Sequence, residues 1–383
     1  MLSRKRDKCC VSAVSARPGV EYRLSSLKKR VRNMTGIRHT DKEQSDWPAD
    51  GTEKLGQCPV CGGRPREPLH KDLTDKTFYC APGKWSLYRC GSCASAYLDP
   101  RPTAKTIGLA YQQYFTHNEA PGYSTLPVLR KLKRRLVNGY QNHRFGTRDE
   151  PASIFGILAA SLVPNGRATL DARMRHLPLG GGRRLLDVGC GNGSFLLGAR
   201  SAGWTAVGVD LDEKAVTAAR GHGLDVRLGG VETLDPATEC IDVVTLAHVI
   251  EHVHHPVSVL EACYQLLKTG GLIWIDTPNI ASQGHEQFGR NGRGLEPPRH
   301  LVLFTLQSMR NALETVGFSN VTIQPYVPLC KGLFRSSLAI EKSVDAYSVK
   351  TVNVSPGLVK KAEKVAKHYP EKREFVTVTA KKR

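Results

Sequence analysis

The second half of the chain alternates between two patterns of apolar residues. Short apolar runs of strand length are separated by stretches in which apolar positions recur at helical spacing. Such an alternation predicts an α/β fold with a doubly wound, mainly parallel sheet. Helices are expected after the first five strands, starting near Gly193, Glu213, Glu232 (short), His255 and Thr305. The predicted strands span 184–188, 205–210, 224–228, 241–246, 271–276, 320–325 and 374–379.

The first of these strands leads into a glycine-rich turn. The apolar run ends at Asp187 and is followed by Gly189, Gly191 and Gly193 before a helix begins. Without Cβ atoms, these glycines can adopt positive φ angles and let a ligand approach the backbone. A dinucleotide-binding turn would carry its third glycine one residue later, where this chain has Ser194. The spacing therefore departs from that of a dinucleotide-binding turn.

An acidic residue ends the next predicted strand. Asp210 follows Asp187 by 23 positions (210 − 187), close to where a partner for a ribose hydroxyl is expected. Together, the turn and the two acids resemble motif I of the class I S-adenosylmethionine-dependent methyltransferases. The alternative is an ordinary glycine-rich turn of another nucleotide fold. The resemblance implies S-adenosyl-L-methionine as cofactor and a Rossmann-like seven-stranded sheet, with an antiparallel last strand starting near Glu374.

The cofactor site is expected beyond the carboxyl ends of the strands, where ligands bind in open α/β sheets. The family usually carries an acidic residue where this chain has Gly230, so backbone groups of Val231 and Glu232 are expected to replace that contact. The cofactor-binding residues that the resemblance implies are Asp187, Gly189, Cys190, Gly191, Gly193, Asp210, Leu211, Val231, Glu232, Ala247 and His248.

Histidines after the fourth strand are the candidates for catalysis. The run from His248 to His252 resembles the family's His-Val-Leu-Glu-His segment, which places His248 under the methionine moiety. Methyl transfer needs donor and acceptor held in line, and a hydroxyl acceptor gains from a general base. We expect His300 as that base, with His252 and His248 behind it. The histidines around Glu251 are also compatible with a metal site, but the resemblance accounts for them without one.

A glycine- and arginine-rich loop follows the fifth strand. Its sequence over 288–304 resembles a loop that lines the acceptor pocket in this methyltransferase group, with Gly292 where an aromatic residue is usual. Guanidinium groups bind phosphate and carboxylate bidentately. Arg290, Arg293 and Arg299 are therefore the predicted substrate-binding residues. The alternative is a flexible surface loop.

Two Cys-x-x-Cys knuckles precede the α/β region. Cys58, Cys61, Cys90 and Cys93 can supply four thiolates to a tetrahedral structural zinc ion. Four reduced buried cysteines and a redox site are the alternatives, and Cys80 is a candidate substitute ligand. With the following Leu-Asp-Pro-Arg-Pro and Tyr-x-x-Tyr-Phe runs, the knuckles resemble the leader of bacterial methyltransferases of polysaccharide or small-molecule tailoring.

Charge and composition divide the rest of the chain. The 383 residues carry a formal charge of +20, with ten Lys or Arg in residues 1–32 against Asp7 and Glu21. We expect a basic, disordered segment at 1–50, a zinc ribbon at 51–104, a helical linker or cap at 105–180, and the S-adenosylmethionine-binding domain at 181–383. The basic segment is interpreted as a solvated tail, with a nucleic-acid arm or a natural start at Met34 as alternatives.

A further basic stretch, 126–148, is predicted to be an amphipathic helix. Its arginines and lysines should face solvent, while Leu129, Leu132, Leu136 and Tyr140 recur on the other face. The alternative is a surface that contacts phosphate groups. Neither a signal peptide nor an 18-residue apolar run is present, so we expect a cytoplasmic protein without a membrane span.

Together these features favour a methyltransferase acting on a small-molecule or sugar acceptor, anionic and methylated at oxygen. The alternative partner is RNA, bound by the zinc ribbon and the basic surface. Against RNA, the segment after the fourth strand lacks the Asn/Asp-Pro-Pro-Tyr/Phe motif used on base nitrogens. A third reading is a noncatalytic binding protein on the same scaffold. The sequence leaves the acceptor, the methylated atom and the oligomeric state open.

Overall fold

A computed structural model of the chain describes residues 46–111, 127–237, 240–344, 346 and 352–383. The hypotheses of a basic arm and of a start at Met34 fall on residues 1–45 and lie outside the described residues. The same holds for most of the Tyr-x-x-Tyr-Phe run, of which only Tyr111 is described.

The cysteine-rich region folds as a small antiparallel ribbon. Strands β2, β3 and β4 form a meander, and β1 pairs with β5. One helical turn, Ile107–Tyr111, follows. The strand bounds are β1 Thr52–Glu53, β2 Arg66–Leu73, β3 Trp85–Cys90, β4 Ala96–Leu98 and β5 Arg101–Pro102.

Three helices precede the large sheet in the chain: α1 Val128–Phe145, α2 Gly156–Leu162 and α3 Gly166–Arg173. The predicted amphipathic helix corresponds to α1, but its apolar face is only partly buried. Tyr140 is 4% exposed and donates a hydrogen bond to Asp171, whereas Leu129 and Leu132 are 80% and 52% exposed. Among the described residues, the apolar face of α1 is thus covered only toward its carboxyl-terminal end.

The large sheet has seven strands in the order β12-β13-β10-β9-β6-β7-β8, and β13 runs antiparallel to both its neighbours. This confirms the predicted fold class. Within the described ranges, no helix is both long and apolar enough to cross a membrane. The strands are β6 Arg184–Val188, β7 Thr205–Asp210, β8 Asp225–Leu228, β9 Ile241–Ala247, β10 Leu267–Pro278, β12 Phe318–Ile323 and β13 Phe375–Lys382. Between them lie α4 Ser194–Ser201, α5 Glu213–Gly221, α6 Pro256–Leu266, α7 Gln283–Phe288, the short β11 Val302–Leu303, α8 Leu306–Val316, α9 Cys330–Glu341 and α10 Pro356–His368.

Both faces of the sheet are buried, which is why its strands are continuous apolar runs. Side chains alternate between the faces along each strand. Leu185 and Val243 join the core that includes residues of α1, α4 and α5, whereas Leu186 and Val244 join the core that includes residues of α6 and α8.

The ribbon and the large sheet share this second core. Strand β11 leaves the loop region after β10 and pairs antiparallel with β4, so that Val302 lies opposite Tyr97. Tyr97 and the neighbouring Phe304 are both fully buried in the same hydrophobic cluster. The ribbon therefore holds the end of the predicted acceptor loop in place.

Candidate cofactor and acceptor site

The loop between β6 and α4 is a tight glycine turn at the carboxyl end of the sheet. Gly191 has a φ of +55°, and no heavy atom lies within 4 Å of the position that its Cβ would take. Gly193 has a φ of +78°, and its Cβ would lie 2.3 Å from a methyl carbon of Leu224. Gly193 is thus needed for close packing, while Gly191 borders open space that a ligand can enter.

Asp210 joins this turn from the neighbouring strand. Its Oδ2 accepts a hydrogen bond from the Gly191 amide at 2.7 Å, and its Oδ1 accepts one from the Asp212 amide at 2.8 Å. Both bonds hold the carboxylate at the end of β7, beside the glycine turn. Carboxylate oxygens can each accept more than one hydrogen bond, so Asp210 keeps capacity for a pair of ligand hydroxyls.

Asp187 is fully buried and pairs with an arginine that the sequence reasoning missed. Arg175 donates from Nη1 to Oδ1 of Asp187 and, at 2.8 Å, to the hydroxyl of Thr245. Its guanidinium carbon lies 3.6 Å from the ring centroid of Phe195. Burial raises the pKa of Asp187, and Arg175 opposes that shift. Oδ2 of Asp187 has no hydrogen-bond partner among the described residues, which leaves one buried acceptor atom for a ligand donor.

The loop after β8 supplies an acid where Gly230 lacks one. A Cβ at Gly230 would lie 2.3 Å from Oε2 of Glu232, and the Gly230 amide donates to Oε1 at 3.2 Å. The carboxylate of Glu232 thus occupies the space that an acidic side chain at position 230 would take. Val231 is 3% exposed, whereas Leu211 is 79% exposed and lies at the surface.

The remaining predicted cofactor residues lie at the same edge of the sheet. The amides of Gly189 and Cys190 both donate to the carbonyl of Val209, at 2.8 and 3.1 Å. Ala247 ends β9 opposite Asp276 of β10. The structure therefore brings together at one edge the ends of β6, β7, β9 and β10.

His248 follows β9 directly, in the left-handed region with a φ of +54°. Its Nδ1 lies 3.4 Å from Oε1 of Glu251, and its Nε2 lies 3.4 Å from Oδ2 of Asp276. Desolvation lowers the pKa of His248, but the two carboxylates outweigh it and raise the pKa overall. Its ring meets that of Phe375 edge-on, at 4.9 Å between centroids.

Behind His248 lies a buried group of Glu251, His252 and His300. The rings of His252 and His300 are 4.7 Å apart. Burial lowers the pKa of both imidazoles. Burial opposes ionisation of Glu251, but the surrounding histidines outweigh it and lower its pKa to about 2. Thr277 donates to Oε2 of Glu251 at 2.9 Å. The three predicted catalytic histidines thus lie in one cluster around Glu251.

The three arginines of the predicted acceptor loop do not converge. Arg299 is fully buried and forms an ion pair with Asp75 of the ribbon, so it is not available to a substrate. Arg290 is exposed and donates to two carbonyls of the ribbon, those of Lys71 and Asp72. Arg293 pairs with Glu296. The prediction that Arg299 binds substrate is therefore wrong, because its guanidinium is buried against Asp75, whereas substrate binding by Arg290 and Arg293 stays a prediction.

A narrow cleft opens beside these loops. Phe375, which contacts His248, lines it. Glu374 lines it as well, and burial raises the pKa of its carboxyl to about 7. Gly292 also faces it and has no side chain to fill it. Residues from the end of β10, from α9 and from the loop complete the lining, among them Pro278, Asn279, Gly294, Leu295, Leu333 and Ser337.

The four knuckle cysteines meet as predicted. The four sulfur atoms all lie within 4.8 Å of one another. The distance is 3.8 Å between the sulfurs of Cys58 and Cys93 and 3.6 Å between those of Cys61 and Cys90. Sulfurs bound at 2.3 Å around zinc are about 3.8 Å apart. The cluster therefore fits a structural zinc ion. Cys80 is not part of it, since its thiol donates to the Ala110 carbonyl at 3.3 Å.

Strand order, the antiparallel β13, and the glycine turn flanked by Asp187 and Asp210 define the class I S-adenosylmethionine-dependent methyltransferase fold. In agreement, residues 165–323 match a family model described as "Methyltransferase domain". Residues 165–323 are therefore similar to a methyltransferase domain, and they follow a cysteine cluster that fits a zinc ribbon.

Similar proteins include two named "Ubiquinone biosynthesis O-methyltransferase". The one from Bordetella avium is 42% identical over 105 residues, which is 26% of this chain and 44% of the relative. The one from Bordetella bronchiseptica is 44% identical over 107 residues, with the same coverage of both chains. The chain thus matches less than half the length of these relatives.

Solved structures with a similar arrangement include S-adenosylmethionine-dependent methyltransferases from two organisms. The Mesorhizobium loti protein is 20% identical, with a TM-score of 0.38 over 56% of this chain and 97% of its own. The Archaeoglobus fulgidus protein is 21% identical, with a TM-score of 0.39 over 63% of this chain and 98% of its own.

Proposed function

We propose that this chain is an S-adenosylmethionine-dependent methyltransferase that methylates a hydroxyl oxygen of a small-molecule acceptor. The observation that carries the proposal is the convergence of the glycine turn, Asp210 and His248 at the carboxyl ends of neighbouring strands. The name of the two Bordetella relatives supports oxygen as the methylated atom.

The cofactor side of the proposal assigns one contact to each group. Asp210 would accept hydrogen bonds from the ribose hydroxyls, and Glu232 would accept one from the adenine amino group. The amino-acid end would meet the unpartnered oxygen of Asp187 and the guanidinium of Arg175. When bound, the cofactor supplies an electrophilic methyl group on a sulfonium. The contribution of the chain is then to hold that methyl in line with the acceptor oxygen.

We propose that the acceptor binds at the cleft lined by Glu374 and Phe375. Arg293 lines this cleft, but its charge is paired with Glu296, whereas Arg290 and Arg299 contact the ribbon. A carboxyl with a pKa of about 7 can hydrogen-bond a hydroxyl as donor or acceptor. We therefore propose an uncharged, hydroxyl-bearing acceptor, such as a sugar or phenol, with the reacting hydroxyl toward His300.

Calorimetry with S-adenosylhomocysteine tests the cofactor half. Asp210→Asn should weaken binding about 10- to 100-fold, because hydrogen bonds to a charged group contribute about 1.5–3 kcal/mol. Asp225→Asn, a change at an exposed acid at the start of β8, should leave binding unchanged. An unaltered dissociation constant in Asp210→Asn would exclude the ribose assignment.

Methyl incorporation from labelled cofactor tests the acceptor half. Hydroxyl-bearing small molecules should gain label, whereas total RNA should not. The RNA alternative has one observation in its favour, the exposed basic residues Arg130, Lys133 and Arg135 on α1. Nuclease-sensitive label, or RNA binding that weakens steeply with salt, would favour that alternative and contradict a small acceptor.

A further inference from the structure

A second cluster of metal-ligating side chains lies away from the cysteines. One ligand atom each from Glu251, His252 and His300 lies within 4.8 Å of the other two. Ligand atoms bound at about 2.1 Å to one cation are about 3–4 Å apart, so the cluster is already close to that spacing. His254 and His255, also present in the histidine-rich segment, are not part of it. His254 contacts the Pro102 carbonyl, and His255 is exposed.

Backbone carbonyls orient both imidazoles. Nδ1 of His252 lies 3.0 Å from the carbonyl oxygen of Arg299, and Nδ1 of His300 lies 2.7 Å from that of Gly294. A carbonyl oxygen only accepts, so each Nδ1 carries the hydrogen, and the lone pair of each ring lies on Nε2. A hydrogen bond from the second ring nitrogen to a carbonyl is the arrangement that metal-binding histidines commonly have.

The carboxylate is oriented in the same way. Glu251 is fully buried, and Thr277 donates to its Oε2 at 2.9 Å. Its Oε1 has no hydrogen-bond partner among the described residues and lies 3.4 Å from Nδ1 of His248. A buried carboxylate is costly unless a charge or hydrogen bonds compensate it. Oε2 is therefore fixed by Thr277, and Oε1 is available to bind a cation.

The ribbon contributes to the rigidity of this cluster. The Asp75–Arg299 ion pair fixes the residue whose carbonyl orients His252 and which precedes His300. The hydroxyl of Tyr111, in the turn after the ribbon, lies 3.0 Å from Nδ1 of His252. Both imidazoles are thus held by contacts outside the cluster, as a preformed site requires.

We propose that Glu251, His252 and His300 bind a divalent first-row transition cation that holds the acceptor hydroxyl. Two imidazoles and one carboxylate suit zinc, iron(II), cobalt(II) or manganese(II), and they leave coordination positions open. The role of the cation in holding the acceptor hydroxyl rests on the proposed function. The coordinated hydroxyl would release its proton to water, and its oxygen would form the new O–CH₃ bond. The S–CH₃ bond would break with its electron pair left on sulfur, releasing S-adenosylhomocysteine.

Cobalt(II) titration of full-length protein with one zinc already bound tests the site without any acceptor. We expect one cobalt ion per chain, with visible absorption typical of nitrogen and oxygen ligands and without thiolate charge-transfer bands. His300→Asn removes Nε2 but keeps an amide donor near the Gly294 carbonyl, and Glu251→Gln keeps the shape. Each should weaken cobalt binding at least about 100-fold. Thr277→Val should weaken it about 10- to 100-fold.

His255→Ala is the matched control and should bind cobalt as the parent does, since His255 is exposed and outside the cluster. Circular dichroism of each metal-free variant checks that it folds. Absence of cobalt beyond the ribbon site, or equal binding in folded His300→Asn, would overturn the proposal. Cobalt binding without methyl transfer would refute the proposed function but leave the cation site standing. Methyl transfer without a second cation would support the proposed function but refute the cation site.

Discussion

The buried ion pair between Arg299 and Asp75 offers the sharpest test, because sequence and structure assign Arg299 different roles. The loop resemblance makes it a substrate-binding residue. In the structure, both side chains are buried, at 0% and 1% exposed, and Nη2 of Arg299 lies 2.5 Å from Oδ1 of Asp75. Nη1 also donates to the Ala110 carbonyl at 3.0 Å, and the guanidinium stacks on Phe78. Arg299→Met should therefore act on stability before it acts on any acceptor.

The magnitude follows from the burial. Removing one partner of a buried pair costs about 3–5 kcal/mol, because the other charge is left uncompensated. We expect the lower part of that range for Arg299→Met, since the Asp75 carboxylate keeps four backbone N–H donors, from Thr77, Phe78, Cys80 and Ala81. Asp75→Asn should cost a similar amount. The double variant should be destabilised less than the sum of the two, by up to about 3 kcal/mol.

Urea unfolding followed by tryptophan fluorescence, at constant zinc concentration, measures these free energies. Arg290→Met is the control, because its guanidinium is exposed and donates to two carbonyls of the ribbon, and it should cost about 0.5 kcal/mol or less. If Arg299→Met kept the parental free energy of unfolding and instead raised the KM for the acceptor, the structural assignment would be refuted and the sequence-based one restored.

Two further predictions concern a titrating acid and the ribbon. The pKa of Glu374 rises from 4.5 to about 7 on folding, so its contribution to stability is full below pH 4.5 and is lost as the pH rises through 7. Glu374→Gln should flatten the pH dependence of the unfolding free energy and remove a destabilisation of about 3 kcal/mol above pH 7. Urea unfolding at several pH values measures this, and an unchanged pH dependence would contradict it. Cys90→Ser should abolish zinc retention after gel filtration and lower the melting temperature, whereas Cys80→Ser should do neither; zinc retained by Cys90→Ser would argue against the four-cysteine site.

The large sheet was predictable because its signals are local. Strands β6 and β7 lie at the predicted residues, since buried parallel strands are short apolar runs bounded by polar turns. The predicted strand at 271–276 lies within β10, which starts earlier, at Leu267, where a register shift adds a short paired stretch. The cysteine cluster was equally accessible, because each knuckle brings two thiols together within four residues.

Features that depend on distant partners were not predictable. Arg175 carries no motif, and only the fold brings it to Asp187. The sequence of the acceptor loop shows three arginines but not that Asp75, more than 200 residues away, neutralises Arg299. At Gly230 the sequence pointed to backbone groups of Val231 and Glu232, but it did not show that the Glu232 carboxylate itself lies beside Gly230. Leu129 and Leu132 show a further limit of the sequence. Their periodicity predicts that they share a helix face, but it does not show whether that face is buried.

The pairing of β11 with β4 has a consequence for anyone who wishes to redesign acceptor choice. Residues 288–304 cannot be exchanged as an independent cassette, because their last strand is one edge of the cysteine ribbon's own sheet and Arg299 is anchored in that ribbon. A graft that altered the loop alone would leave Asp75 without its counter-ion and β4 with an unpaired edge. Ribbon and loop must therefore be transplanted together, as one structural unit.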